Sequence, residues 1–163
     1  MPDSFICVTE VADGPFFATS LFQRKFNDTP PGFPHHIVTF FRESEFSYVP
    51  LSYLHFRRHE EVYLVGGGCT DGRGFARMSE QQRERVRASG GPLFNALRYG
   101  FARFAGECEA YFGHCGDARA YEVDMAAGFV PTAHQYLLAH WHRPITPARQ
   151  HELVEKINAL GPF

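Results

Sequence analysis

The residues best equipped for chemistry are the nine histidines, the four cysteines and two glycine-rich stretches. In His140-Trp141-His142 both imidazoles would point to one face of a strand, and His35-His36 precede an apolar run. A metal centre needs three or four convergent ligands, and neither the usual zinc spacings nor a His-Glu-x-x-His is present. Each His therefore reads as a surface or hydrogen-bonded residue, and no metal is expected. His114-Cys115 pairs a nucleophile with a base in sequence only, because neighbours on a strand point to opposite faces. No Gly-x-Ser-x-Gly supports serine hydrolase chemistry. Gly72-Arg73-Gly74, with Arg73 and Arg77, could cradle a phosphate; the same residues make an equally good solvated turn.

Positioning any of these residues requires a scaffold, and the hydrophobic pattern supplies one. Residues 4–11 read as a first strand and 16–26 as a short helix, followed by the breaker-rich loop Thr29-Pro30-Pro31-Gly32-Phe33-Pro34. Residues 36–42, 48–57 and 61–65 are closely spaced strands of an antiparallel meander, the last running into Gly66-Gly67-Gly68. Then the period changes. Ser79 and Gln82 form a capping box for a helix ending near Ala88, and Pro92 opens another with Leu93, Phe94, Leu97, Phe101 and Phe104 on its apolar face. A strand over 109–113, a helix over 118–127 closed by Gly128, and a strand over 136–141 follow. The tail has Thr146 as cap, Pro147 in the first turn, and Leu153, Val154, Ile157 and Leu160 on one stripe. A meander followed by alternating helices and strands is a mixed α/β layer fold.

Composition bounds the rest. The 163 residues form one domain's worth of chain, long enough to bury a core without disulfides or structural metal. Net charge is -2 and the signs are mixed, so there is no electrostatic footprint for nucleic acid or an anionic membrane. No apolar run is long enough to span a bilayer, and Met1-Pro2-Asp3-Ser4 does not open a signal peptide, which points to a cytoplasmic protein with reduced thiols. Seventeen Phe residues are the unusual count. Most should be core.

Two motifs in the second half resemble the GNAT N-acetyltransferase superfamily. Arg87-Ala88-Ser89-Gly90-Gly91-Pro92 is similar to that family's pyrophosphate loop, with Pro in the last place. Asp117-Ala118-Arg119-Ala120-Tyr121-Glu122-Val123-Asp124-Met125-Ala126-Ala127-Gly128-Phe129 is similar to its Asn-x-x-Ala-x-x-Leu-Tyr-x-x-x-Gly-Phe, matching at Ala120, Val123, Gly128 and Phe129. The resemblance covers roughly residues 36–142 and implies a GNAT-like α/β fold: a mixed, largely antiparallel central sheet with helices on both faces. Residues 1–143 would form the acyl-CoA-binding domain and 144–163 a C-terminal helical extension, docked on its own sheet or on a second copy in a homodimer.

The resemblance also implies a function: transfer of an acyl group, most simply acetyl from acetyl-CoA, to a small-molecule or peptide amine. Arg87, Gly90 and Gly91 would hold the pyrophosphate, and Cys69 and Thr70 would contact the acyl arm. Tyr121 or Asp124 would flank the thiol. The family often places a Tyr where this chain has Asp124, and an ionised carboxylate cannot donate a proton to a leaving thiolate. Glu61, His59 and His55 are the candidate bases for the amine. Residues 71–86 form an insertion where the usual loop is a few residues. Loss of the Tyr and gain of this insertion favour an alternative: a CoA-binding or sensing module without catalysis, or an interaction protein that keeps only the fold.

Overall fold

Residues 5–163 are described by a computed structural model, and the first two residues of the expected opening strand that precede Ile6 are Ser4, outside this range, and Phe5. Strand β1 (Ile6–Val11) leads to helix α1 (Gly14–Phe26), whose first turn is fixed by Asp13 accepting from the Phe16 N–H at 2.9 Å. Asn27, in the left-handed region at φ 52°, closes it. Strands β2 (His35–Ser44), β3 (Ser47–His59) and β4 (Val62–Thr70) form the meander, and β4 continues through the glycines instead of stopping at Val65.

The insertion is built, not loose. Asp71 caps a one-turn helix α2 (Gly72–Phe75), and both capping-box bonds of Ser79 and Gln82 open α3 (Glu80–Ala88). Met78 and Val86 bury against Phe41 and Leu51 of the sheet. Helix α4 (Pro92–Phe104) leads to β5 (Ala110–His114), and α5 (Ala118–Ala127) is capped by Asp117 accepting from the Arg119 and Ala120 N–H groups. A two-residue β6 (Val130–Pro131), β7 (Leu137–His140) and α6 (Pro147–Leu160) complete the chain.

Among the described residues the strands make one seven-stranded sheet in the order β1-β2-β3-β4-β5-β7-β6. All neighbours are antiparallel except β4 and β5, which run parallel. Alternation along β4 sorts the two faces. Tyr63 and Val65 join the α4 core with Phe56, Phe101, Phe104 and Tyr111, and α2, α3 and α5 lie on that side. Val62 and Leu64 face α6, where Leu153 and Ile157 are fully buried beside Phe112 and Leu137. Helix α1 covers the same face farther along, over Val38, Phe40, Tyr53 and Cys69. The tail therefore docks on its own sheet through Leu153, Val154 and Ile157, whereas Leu160, expected on the same stripe, is 41% exposed at the end of the helix.

Candidate active site

The parallel pair is short. β4 meets β5 only through Val62–Val65 opposite Ala110–Gly113, after which β4 runs on to Thr70 beside β3 alone. The two strands part at Gly66 and His114, and among the described residues the backbone edge of 66–70 has no strand partner on that side. A cavity of about 320 Å³ opens in the gap, lined by Gly66, Gly67, Gly68, Gly113, Asp124 and Phe163 among others. The glycines keep the gap open: at Gly68 a Cβ would sit in ordinary contact with Leu93 at 3.4 Å, and at Gly113 it would press on Phe129 at 3.3 Å. A second cavity of about 280 Å³ continues from Gly68 along Cys69, Thr70 and Gly91 to the start of α4, with Lys25 and Arg119 on its rim.

Asp124 lines the first cavity with other ionisable groups, Lys25, His114, Cys115 and Asp117. Burial pushes the Asp124 carboxyl up to about 6, against a weaker opposing hydrogen bond with Cys115. The Cys115 thiol is itself raised, to about 11, chiefly by burial. Asp124 can therefore carry a proton near neutral pH, which corrects the expectation of a permanently ionised carboxylate. Tyr121 does not share this cavity. It lines an adjoining pocket of about 350 Å³ with Tyr136, Thr132 and His134 of the β6–β7 loop.

Several other sequence-derived roles change once the chain is folded. The N–H groups of Gly90 and Gly91 do not form an anion nest. Gly90 donates to the Arg87 carbonyl and Gly91 to the Val86 carbonyl, both at 3.0 Å, and together they close the C-terminus of α3. Both glycines have positive φ (99° and 93°), as that closure demands. Arg87 is exposed and lines neither cavity. What the start of α4 does offer is the N–H groups of Leu93 and Phe94, which have no partner among the described residues, next to Pro92, which has none to give.

Cys69 and Thr70 line the second cavity, but the Cys69 side chain is buried under α1, and burial pushes its thiol to about 12. Its side chain packs in the core there and is not a reactive thiol. Glu61 sits at the β3–β4 turn, roughly 15 Å from Gly66 at the rise of an extended strand. Lys156 bonds it at 2.9 and 3.0 Å and, with Arg149 at 3.2 Å, holds its carboxyl below the usual range. Glu61 is thus a structural ion-pair partner of α6 and not a base in the cleft, and His59 shares its end of the strand.

The glycine stretch at 72–74 is also structural. Gly74 is buried, with a Cβ position 2.5 Å from Leu51, and Arg77 is held by Glu43 at 2.8 and 2.6 Å. His140 and His142 each bond a backbone carbonyl, of Gly128 (2.8 Å) and Ala105 (3.0 Å).

The cavity-lining residues that sequence reasoning passed over are Gly66, Gly113, Leu93 and Arg119. The run of three glycines at the end of an apolar strand was the available signal.

No family profile and no curated protein matches the sequence. Solved structures do match in fold. One is a proposed acetyltransferase from Pyrococcus horikoshii, with 10% identity and a TM-score of 0.54 over 81% of this chain. This chain spans 46% of that protein's length. Another is a GNAT family acetyltransferase from Brucella melitensis, solved in complex with acetyl-CoA, with 12% identity and a TM-score of 0.51 over 87% of this chain and 91% of that one. Over 87% of its length the chain shares the fold of a GNAT family acetyltransferase, at 12% sequence identity.

Proposed function

We propose that the protein is an acyl-CoA-dependent N-acyltransferase that moves an acetyl group from acetyl-CoA to a small-molecule or peptide amine. The observation that carries this reading is the cleft where β4 and β5 part, with a protonatable Asp124 inside it. Bound acetyl-CoA would supply a thioester carbonyl open to attack. The unpaired edge of residues 66–70 fits the two amides of a pantetheine arm, as a strand edge fits an added strand. The Leu93 and Phe94 N–H groups, with Arg119 and Lys25, would face the phosphates. Asp124 would hold a proton for the departing thiolate, the role often given to Tyr on this fold.

Acetyl-CoA should raise the melting temperature, because a ligand that binds only the native state stabilises it. At a hundredfold excess over Kd the gain is about 2.7 kcal/mol, or about 5–10 °C for a chain of this size. Arg119→Glu, at an exposed position, should shrink that shift while leaving the unliganded melt unchanged. No shift at millimolar acetyl-CoA would remove the donor from the account. The engaged Gly90 and Gly91 N–H groups favour a second reading, a CoA-binding module without turnover. Binding without thiol release across a panel of amines would select it.

A further inference from the structure

Three buried polar rings on the α1 face of the sheet have no part in the account so far. His36 and His55 are direct cross-strand partners, and Tyr53 lies two residues before His55. His36 Nδ1 is 2.7 Å from the Tyr53 hydroxyl, which is 3.3 Å from His55 Nδ1. The backbone at Phe33 acts on His36 in the sense that favours its protonated form. We assign the hydrogen of neutral His36 to the nitrogen not engaged by Tyr53, which leaves Nδ1 presenting a lone pair. The Tyr53 O–H donates to it, and the Tyr53 oxygen accepts from His55 Nδ1–H. Neutral His55 is left with a bare Nε2.

That nitrogen has no partner among the described residues and is not sealed from solvent. It lies 3.0 Å from where a Cβ would stand on Gly66, a residue that lines the cleft. At Gly67, with φ 67°, a Cβ would come within 2.5 Å of Cε1 of the same ring. His55 is 5% exposed, and the missing side chains of the two glycines leave open the approach to its ring from the cleft, while Phe33 packs on the ring with centroids 4.5 Å apart.

We propose that His55 Nε2 is the base that takes the acceptor's proton, and that Tyr53 and His36 carry the charge away from the cleft. The proposal rests on the acyltransferase reading. As the acceptor nitrogen bonds the acyl carbon, its N–H bond breaks and the proton passes to Nε2. His55 Nδ1–H then passes to the Tyr53 oxygen, and the Tyr53 O–H passes to His36 Nδ1. One proton has moved, Tyr53 is neutral again, and His36 is an imidazolium. Burial pushes His55 down to about 3, so it cannot keep the charge. His36 is lowered by burial as well, but Asp13 and Glu10 act to raise it. His35 opposes charge at His36, Arg57 opposes it at His55, and Cys69 faces Tyr53.

Two measurements decide the matter. In 15N spectra of the unliganded protein, His55 should show a protonated Nδ1 and a pyridine-type Nε2, and Tyr53→Phe should disturb that tautomer. An Nε2–H tautomer in the wild type would overturn the proposal whatever the protein acylates. With acetyl-CoA and spermidine, tyramine or a lysine-containing peptide as acceptor, His55→Gln should cut kcat roughly 100-fold and Tyr53→Phe about tenfold. The melting shift with acetyl-CoA should persist in both. A purely structural Tyr53 would alter melting and leave kcat alone, and unchanged kcat in both variants rejects the relay. A wild type that neither binds acetyl-CoA nor acylates these amines overturns the acyltransferase reading and this role with it, while the tautomer result still reports on the hydrogen-bond chain.

Discussion

Asp124→Asn should stabilise the fold in mildly alkaline buffer and at the same time remove most acetyl transfer. The folded carboxyl titrates near 6, above the ordinary 3.8, because it is buried. The native state therefore binds this proton more tightly than the unfolded chain does. The stability linked to it is fully present below the unfolded value and is lost as pH rises through about 6. A shift of this size is worth about 3 kcal/mol, and partial solvent access reduces it to about 2. The neutral amide escapes that cost, so melting should rise by about 4–8 °C in alkaline buffer, with the gain fading below pH 4. Calorimetry across pH reads it directly. Loss of the acid should slow thiol release by roughly 100-fold, and the wild-type rate should fall as pH rises through the Asp124 titration. A variant destabilised under alkaline conditions, or one with normal turnover, would contradict this role.

Truncation after Arg143 should abolish cooperative folding. It removes Leu153, Val154 and Ile157, which are 0%, 8% and 0% exposed. At about 1.5–3 kcal/mol per large side chain, their burial contributes roughly 5–9 kcal/mol, comparable to the whole stability of a typical domain. The cut also uncovers Leu64, Phe112 and Leu137 and leaves Glu61 and Glu109 without Arg149. Chemical denaturation followed by circular dichroism should show no sharp transition. A cooperative melt within a few degrees of the full chain would mean that α6 is dispensable.

The local signals in the sequence were strong where a few adjacent residues decide the outcome. The capping box at Ser79 and Gln82, Pro92 at the start of α4, and Asp117 with Gly128 around α5 need only local backbone chemistry. Long-range features were hidden. Gly90 and Gly91 suit a phosphate nest and a helix C-terminus equally, and only the folded chain shows that their N–H groups close α3. The proton on Asp124 comes from burial by elements distant in sequence. Glu61 read as a base because its distance from the point where β4 and β5 part is set by a strand pairing that the sequence does not show. The His36–Tyr53–His55 alignment depends on the β2–β3 register, which bulges at Thr39/Phe40 and Arg42/Ser44 shift away from a count back from the turn.

The most direct test of the central claim is a titration of acetyl-CoA into 15N-labelled protein, followed at each backbone amide. If the cleft between β4 and β5 receives the donor, saturable shifts should appear at Gly66, Gly67, Gly68, Cys69 and Thr70, at Gly113 and His114, and at Leu93 and Phe94. No response at these amides at millimolar acetyl-CoA, or a response confined to Gly72, Arg73, Gly74 and Arg77, would contradict it.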